Sequence, residues 1–199
     1  MFGKLIAHKK ALRKAKVESQ YLYQHIVQNA RNPQFYRPPF YVEDTVEGRF
    51  ELILIHLFIV DFWLSKSEQT VLLRRALQEI LITDMDRSLR EMGIGDMSVG
   101  KQMKKVGAAL LGRLQSYKLI FETTDEDQSS ESRISEIISR NIGGLKRIEH
   151  SDALAKYFVT QVAAVATSDP DNWQTGDEVF TVANWTNEVL TTQNSEGIS

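Results

Sequence analysis

Apolar residues recur along this chain at spacings of three and four, and no stretch sustains the alternation of a β-strand. Leu73, Leu77, Ile80, Leu81, Met85, Leu89 and Met92 trace one helical face. Val99, Met103, Val106, Leu110, Leu114 and Tyr117 trace another, on a helix expected from about Val99 to Ile120. From Phe50 to Trp63 nearly every position is apolar, which a helix enclosed by others requires. Glu18 to Ala30 carries Tyr21, Leu22, His25 and Ile26 along one side. Three shorter helices are expected at roughly Arg133–Ile142, Asp152–Ala166 and Asp177–Leu190. The pattern predicts an all-α fold, a single multi-helix domain without internal repeats.

Punctuation between these stretches supports the same division. Pro33 steers Asn32 out of helical geometry and ends the helix at Ala30. Phe35 to Tyr41, with Pro38 and Pro39, forms a stiff aromatic loop that either covers the core or presents a protein-binding surface. Asp44 is placed to cap the central helix, with Glu47 completing a variant capping box. Ser67 is placed to cap the next helix, which Gly93 and Gly95 stop. Asp96 or Ser98 is expected to cap the one after. Thr123 to Ser132 is acidic and serine-rich, as flexible loops are. The expected layout is a basic arm over residues 1–17, a helical domain over 18–191 and a polar tail over 192–199.

Composition removes several function classes. The 199 residues carry a net charge of −2, unlike a nucleic-acid protein with a wholly basic surface. There is no cysteine, which excludes disulfides, zinc–thiolate sites and thiol catalysis. The longest apolar run, Leu52 to Val60, contains His56 and is far shorter than the ~20 residues a membrane span needs. Charge is nevertheless uneven. Lys4, Lys9, Lys10, Arg13, Lys14 and Lys16 precede any acidic residue. That segment is either a frayed terminus or a short basic helix that touches phospholipid head groups or ribosomal RNA.

The densest chemistry lies between Asp84 and Lys105. Asp86 faces Arg90 and Arg87 faces Glu91, each one turn apart. Two glycines then force a reversal, and the following helix opens with Lys101, Lys104 and Lys105 on one face. Ala108, Gly112 and Ser116 continue that face with small side chains. Either a helix of the same chain packs there, or the face is a groove, basic at one end, for a helix or loop of a client. An alternative from another class gathers His56 with Asp84, Asp86 and Asp96 into a metal-binding or enzymatic site. The chain lacks paired Glu-x-x-His motifs, and no glycine-rich loop or nucleophilic serine stands in the strand–turn–helix frame its chemistry needs.

Three blocks of residues resemble the ubiquinol–cytochrome c chaperone family. They are Ala30-Arg31-Asn32-Pro33 with Phe35-Tyr36; Asp44-Thr45-Val46-Glu47-Gly48-Arg49-Phe50; and Asp84-Met85-Asp86 through Lys105, including Leu89-Arg90-Glu91, Gly93, Gly95-Asp96 and Val99-Gly100-Lys101. The similarity continues weakly to Gly112-Arg113 and Tyr117. It spans Tyr21 to Lys118. The resemblance implies an α-helical, non-enzymatic assembly factor for the cytochrome bc1 complex that uses no nucleotide or cofactor. In mitochondria such factors bind newly made cytochrome b near the ribosomal exit, together with a small partner protein. The short basic N-terminus is what a bacterial member would show, acting in the cytoplasm beside the inner membrane. Its client would be cytochrome b or another bc1 subunit. The expected partner-contacting residues are Asp86, Arg90, Glu91, Asp96, Lys101, Lys104 and Lys105, with Asp44, Gly48, Arg49 and Tyr36 as a second group. Lys4, Lys9, Lys10, Arg13 and Lys14 are expected to meet a membrane or ribosome.

Overall fold

The computed structural model describes residues 2–123, 125, 127–142, 148–167 and 170. Among them lie six α-helices, so the all-α fold expected from periodicity is the one observed. The helix expected at Asp177–Leu190 and the polar tail fall outside the described residues.

The first helix, α1 (Phe2–Ala30), joins what the sequence suggested were two pieces. No glycine or proline interrupts it after Gly3, and Lys14 pairs with Glu18 one turn on at 3.5 Å. The boundary expected between residues 17 and 18 therefore falls inside a continuous helix about 43 Å long. No residue from Gly3 to Lys14 is buried; burial begins at Ala15 and continues through Ser19, Leu22 and Ile26.

The central helix, α2 (Val46–Leu64), is buried at every position from Glu51 to Asp61. Its cap is Thr45, not Asp44: the Thr45 hydroxyl accepts from the Gly48 amide at 3.1 Å. Asp44 is diverted because its carboxylate accepts two hydrogen bonds from Arg49, at 2.5 and 2.9 Å. Gly48 has a packing reason to be glycine. A Cβ there would lie 2.2 Å from the Glu43 carbonyl oxygen. Gly48→Ala is expected to lower stability by about 1–3 kcal/mol, since the first turn of α2 must shift to relieve that contact. Urea unfolding of the variant checks this; an unchanged midpoint would show that the turn yields freely.

The aromatic loop lies on the core. Phe35 and Phe40 are buried against His56 and Tyr157, with ring centroids 5.1–6.0 Å apart, while Tyr41 stays about half exposed. Ser67 caps a short 3-10 turn, Glu68–Thr70, rather than a long helix. The helix that follows, α3 (Val71–Glu91), buries Leu73, Leu77 and Leu81; Ile80, Met85 and Leu89 are half-buried and Met92 is exposed.

The chain then reverses as expected. Gly93 takes φ +83°, its amide donates to the Arg90 carbonyl, and the Ile94 amide donates to the Leu89 carbonyl. This pair of bonds satisfies the last carbonyls of α3. The next helix, α4 (Asp96–Glu122), begins earlier than its apolar stripe, with Gly95 at the cap position. Asp96 and Ser98 lie inside it and do not cap it, because the Asp96 carboxylate is drawn to Arg90.

The remaining helices start earlier than expected. Ser129 caps α5 (Ser130–Asn141) by accepting from the Ser132 amide, so the acidic loop is shorter. The last, α6 (Ile148–Ala166), pairs with α5 and lays Leu154, Tyr157, Phe158, Val162 and Val165 into the core. α2 touches α1, α3, α4 and α6. Among the described residues, no helix is long and apolar enough to cross a membrane.

Candidate functional site

The corner between α3 and α4 carries most of the residues singled out from the sequence. Asp86 and Arg90 meet at 2.7 Å, Arg90 also reaches Asp96 across the turn, and Arg87 lies 3.9 Å from Glu91 and bonds Asp84. Both expected one-turn pairs are thus present, and Asp96 is joined to the first of them through Arg90. The hydrogen bonds that Arg90 donates to the Asp86 and Asp96 carboxylates raise its guanidinium above its ordinary value. All these side chains except Asp84 are substantially exposed, so solvent screens each pair and it contributes little to stability. Asp86, Arg90 and Asp96 shape the corner by binding one another.

The lysines differ. Lys101, Lys104 and Lys105 are exposed and form no salt bridge among the described residues. Ala108, Gly112 and Ser116 beyond them are exposed too. A Cβ built on Gly100 or Gly112 would meet no atom within 4 Å. No helix of the described chain packs on this face.

The same outward side carries apolar residues that the periodicity of the buried stripe does not include: Met97, 99% exposed, Leu111, 64%, and Leu119, 58%. They fall out of phase with the buried stripe Val99, Leu110, Tyr117 and Ile120, and that phase difference was the available signal. Between Leu111 and α2 opens a cavity of about 390 Å³ with Phe58, Phe62 and Leu114 in its wall and Lys118 and Gln115 at its edge.

The second group sits at the start of α2. Arg49 holds the Asp44 carboxyl below the usual carboxylate range by hydrogen bonding. Burial, and then the Asp44 charge, pushes the half-buried Tyr36 phenol up. Asp44, Arg49 and Tyr36 therefore form one cluster, while Gly48 is buried beside Glu43. Along α1, Lys4, Lys9, Lys10, Arg13 and Lys14 are all exposed.

His56 and the three aspartates are not assembled. The His56 ring lies in the core, where Nδ1 meets the Leu52 carbonyl at 2.7 Å and Nε2 meets the Tyr157 hydroxyl at 2.9 Å. Among the described residues, no group of three or more His, Asp or Glu is arranged to hold a metal ion. The buried polar pairs lie elsewhere and escaped the sequence reading. Glu51 accepts from Arg113 at 2.8 and 3.1 Å, and Asp61 from Arg74 at 2.7 and 3.1 Å.

A model of the family described as ubiquinol-cytochrome C chaperone matches residues 39–180. This chain belongs to that family. The chaperone-family match takes in the Asp44–Phe50 and Asp84–Lys105 blocks and reaches well past Lys118, where residue resemblance alone faded. It leaves out the Ala30–Tyr36 block. A crystal structure of the Cbp3 homolog from Brucella abortus is similar, with a TM-score of 0.66 and 27% identity. The similarity covers 90% of this chaperone-family chain and 99% of that one. No curated protein matches the sequence.

Proposed function

We propose that this chain is a non-enzymatic assembly chaperone for the cytochrome bc1 complex, and that it holds cytochrome b or another bc1 subunit against the outward face of α4. Family membership supports the role. One observation carries the choice of surface: three lysines that form no salt bridge among the described residues lead into a strip of small and apolar residues that no described helix covers. A membrane-protein client offers apolar helices flanked by charged loops, and such a strip shields apolar side chains without inserting into lipid. Lys101, Lys104 and Lys105 would meet acidic groups of the client, while Met97, Leu111 and Leu119 would cover its apolar side. The network in which Arg90 joins Asp86 to Asp96, with the Arg87–Glu91 pair beside it, would fix the corner from which the lysines project. The cluster of Asp44, Arg49 and Tyr36 would be a secondary contact. The exposed cations of α1 would hold the chaperone near an anionic membrane or ribosome surface, at the cytoplasmic side of the inner membrane.

Replacing Lys101, Lys104 and Lys105 together by Glu is expected to change stability by no more than about 1.5 kcal/mol, about 0.5 for each exposed position. Capture of tagged cytochrome b should fall by about tenfold or more, the loss of one to two charge-assisted contacts. Assembled bc1 complex and cytochrome b levels in cells lacking the wild-type gene should fall with it. A folded triple variant that keeps client capture and bc1 assembly would remove the α4 face from the proposal. Normal bc1 levels after deletion of the gene would remove the role itself.

A further inference from the structure

A second surface lies between α1 and α3, away from the outward face of α4. Lys16, Gln20, Gln24 and Gln28 follow one another at one-turn spacing along α1, and Arg31 continues the row just past its end. Facing them on α3 are Thr83, Asp84 and Arg87. Two cavities of about 600 and 610 Å³ open here. They share Tyr23, Gln24, Asp84 and Arg87, so they form one continuous cleft.

The charges of this cleft are unbalanced. Asp84 is already engaged twice, accepting from the Tyr23 hydroxyl at 2.9 Å and from Arg87. Arg31 and Lys16, one at each end, form no salt bridge among the described residues. Arg31 stands between two tyrosine–aspartate groups, close enough to act on both the Tyr23 and the Tyr36 phenols. Three cations thus border a trough that holds one carboxylate.

Its dimensions point to a class of ligand. Fifteen helical positions separate Lys16 from Arg31, about 22 Å along the axis. That length accommodates about seven residues of extended polypeptide. Glutamine side chains both donate and accept, so a row of them can match the N–H and C=O groups of a main chain. Single-stranded nucleic acid fits less well, because it calls for exposed stacking rings, and the cleft's one ring, Tyr23, is buried with its hydroxyl on Asp84.

We propose that this cleft binds an extended acidic segment of a partner polypeptide, with carboxylates on Arg31 and Lys16 and main chain along Gln20, Gln24 and Gln28. The site does not depend on the α4 face.

Fluorescence anisotropy of the full chain with a fluorescein-labelled peptide of about seven residues, alternating glutamate and serine, tests the proposal. The wild type should bind this peptide at least tenfold more tightly than its lysine–serine counterpart or hexauridylate. Arg31→Glu combined with Lys16→Glu should weaken binding at least tenfold, and Gln24→Ala with Gln28→Ala severalfold. The exchanged residues are exposed, and unchanged circular dichroism and melting establish that each variant folds. The Lys101, Lys104, Lys105→Glu variant should bind the glutamate peptide as the wild type does. The proposal falls if the wild type does not bind that peptide, if hexauridylate binds as tightly, or if Arg31→Glu with Lys16→Glu binds unchanged. It also falls if the α4 variant is the one that loses binding.

Discussion

Replacing Arg113 by Met is expected to destabilise the protein by about 3–5 kcal/mol at neutral pH. Arg113 of α4 grips the Glu51 carboxylate of α2 through two hydrogen bonds, at 2.8 and 3.1 Å, and Glu51 is only 5% exposed. Removing the guanidinium leaves a buried carboxylate whose charge nothing offsets. Even in the wild type, burial outweighs Arg113 and holds the Glu51 carboxyl above its ordinary value. Without Arg113 it must rise further. A carboxyl with a folded pKa above its unfolded one binds its proton more readily in the folded state. Stability from this source therefore grows as pH falls through the interval between the two values, and is lost as pH rises through it. The variant should accordingly regain part of its deficit on acidification into that interval. Glu51→Leu combined with Arg113→Met should recover most of the loss at neutral pH, since an apolar pair has no charge to desolvate. Urea unfolding of the two single variants and the double variant across pH checks each point. A deficit below about 1 kcal/mol for Arg113→Met would show that water reaches Glu51.

The second large effect is acid-linked and runs the other way. The Leu52 carbonyl can only accept, so Nδ1 of His56 carries the proton, and Nε2 accepts from the Tyr157 hydroxyl. The ring is fully enclosed, and burial pushes its pKa down from 6.5 to about 4. The unfolded chain gains a proton near pH 6.5 that the folded protein refuses until about pH 4. A group with a depressed histidine pKa makes the unfolded state bind more protons in that window, so stability rises with pH there and is lost as pH falls. At about 1.36 kcal/mol per pH unit, the loss attributable to His56 is about 3 kcal/mol by pH 4. His56→Gln should flatten the profile between pH 6.5 and 4 by about that amount, whatever it costs at neutral pH. An unaltered pH slope in the variant would show that the imidazole titrates normally. Because Glu51 and His56 act with opposite sign, their variants separate contributions that the wild-type profile superimposes.

Neither pair touches the proposed client surface, so both variants also serve as probes of fold without function. A chain weakened by Arg113→Met but still folded at low temperature should capture cytochrome b. The α4 lysine variant should do the reverse.

The amino-acid sequence by itself determined that the chain is helical and where most helices lie. A spacing of three and four in Leu73–Met92 and Val99–Tyr117 leaves no other way to bury those side chains, and the all-round apolar run of α2 demanded a central place. Gly93 likewise fixed the corner, because a left-handed residue there costs glycine little. The two expected ion pairs of that corner, Asp86–Arg90 and Arg87–Glu91, were legible for the same reason: one helical turn makes them neighbours.

Tertiary structure decided what depended on competition or on distance along the chain. Asp44 and Asp96 have the chemistry of caps, yet each carboxylate is claimed by an arginine, which left Thr45 and Gly95 at the cap positions. The buried pairs Glu51–Arg113 and His56–Tyr157 join residues 62 and 101 positions apart, beyond the reach of any local pattern. Only packing could show that no described helix covers the small-residue face of α4. The trough between α1 and α3 is likewise a product of packing, since Arg31 and Lys16 line its two ends only when α3 is laid beside them. Periodicity records which side of a helix turns inward; which polar groups meet, and which surfaces stay open, is settled by how the helices stack.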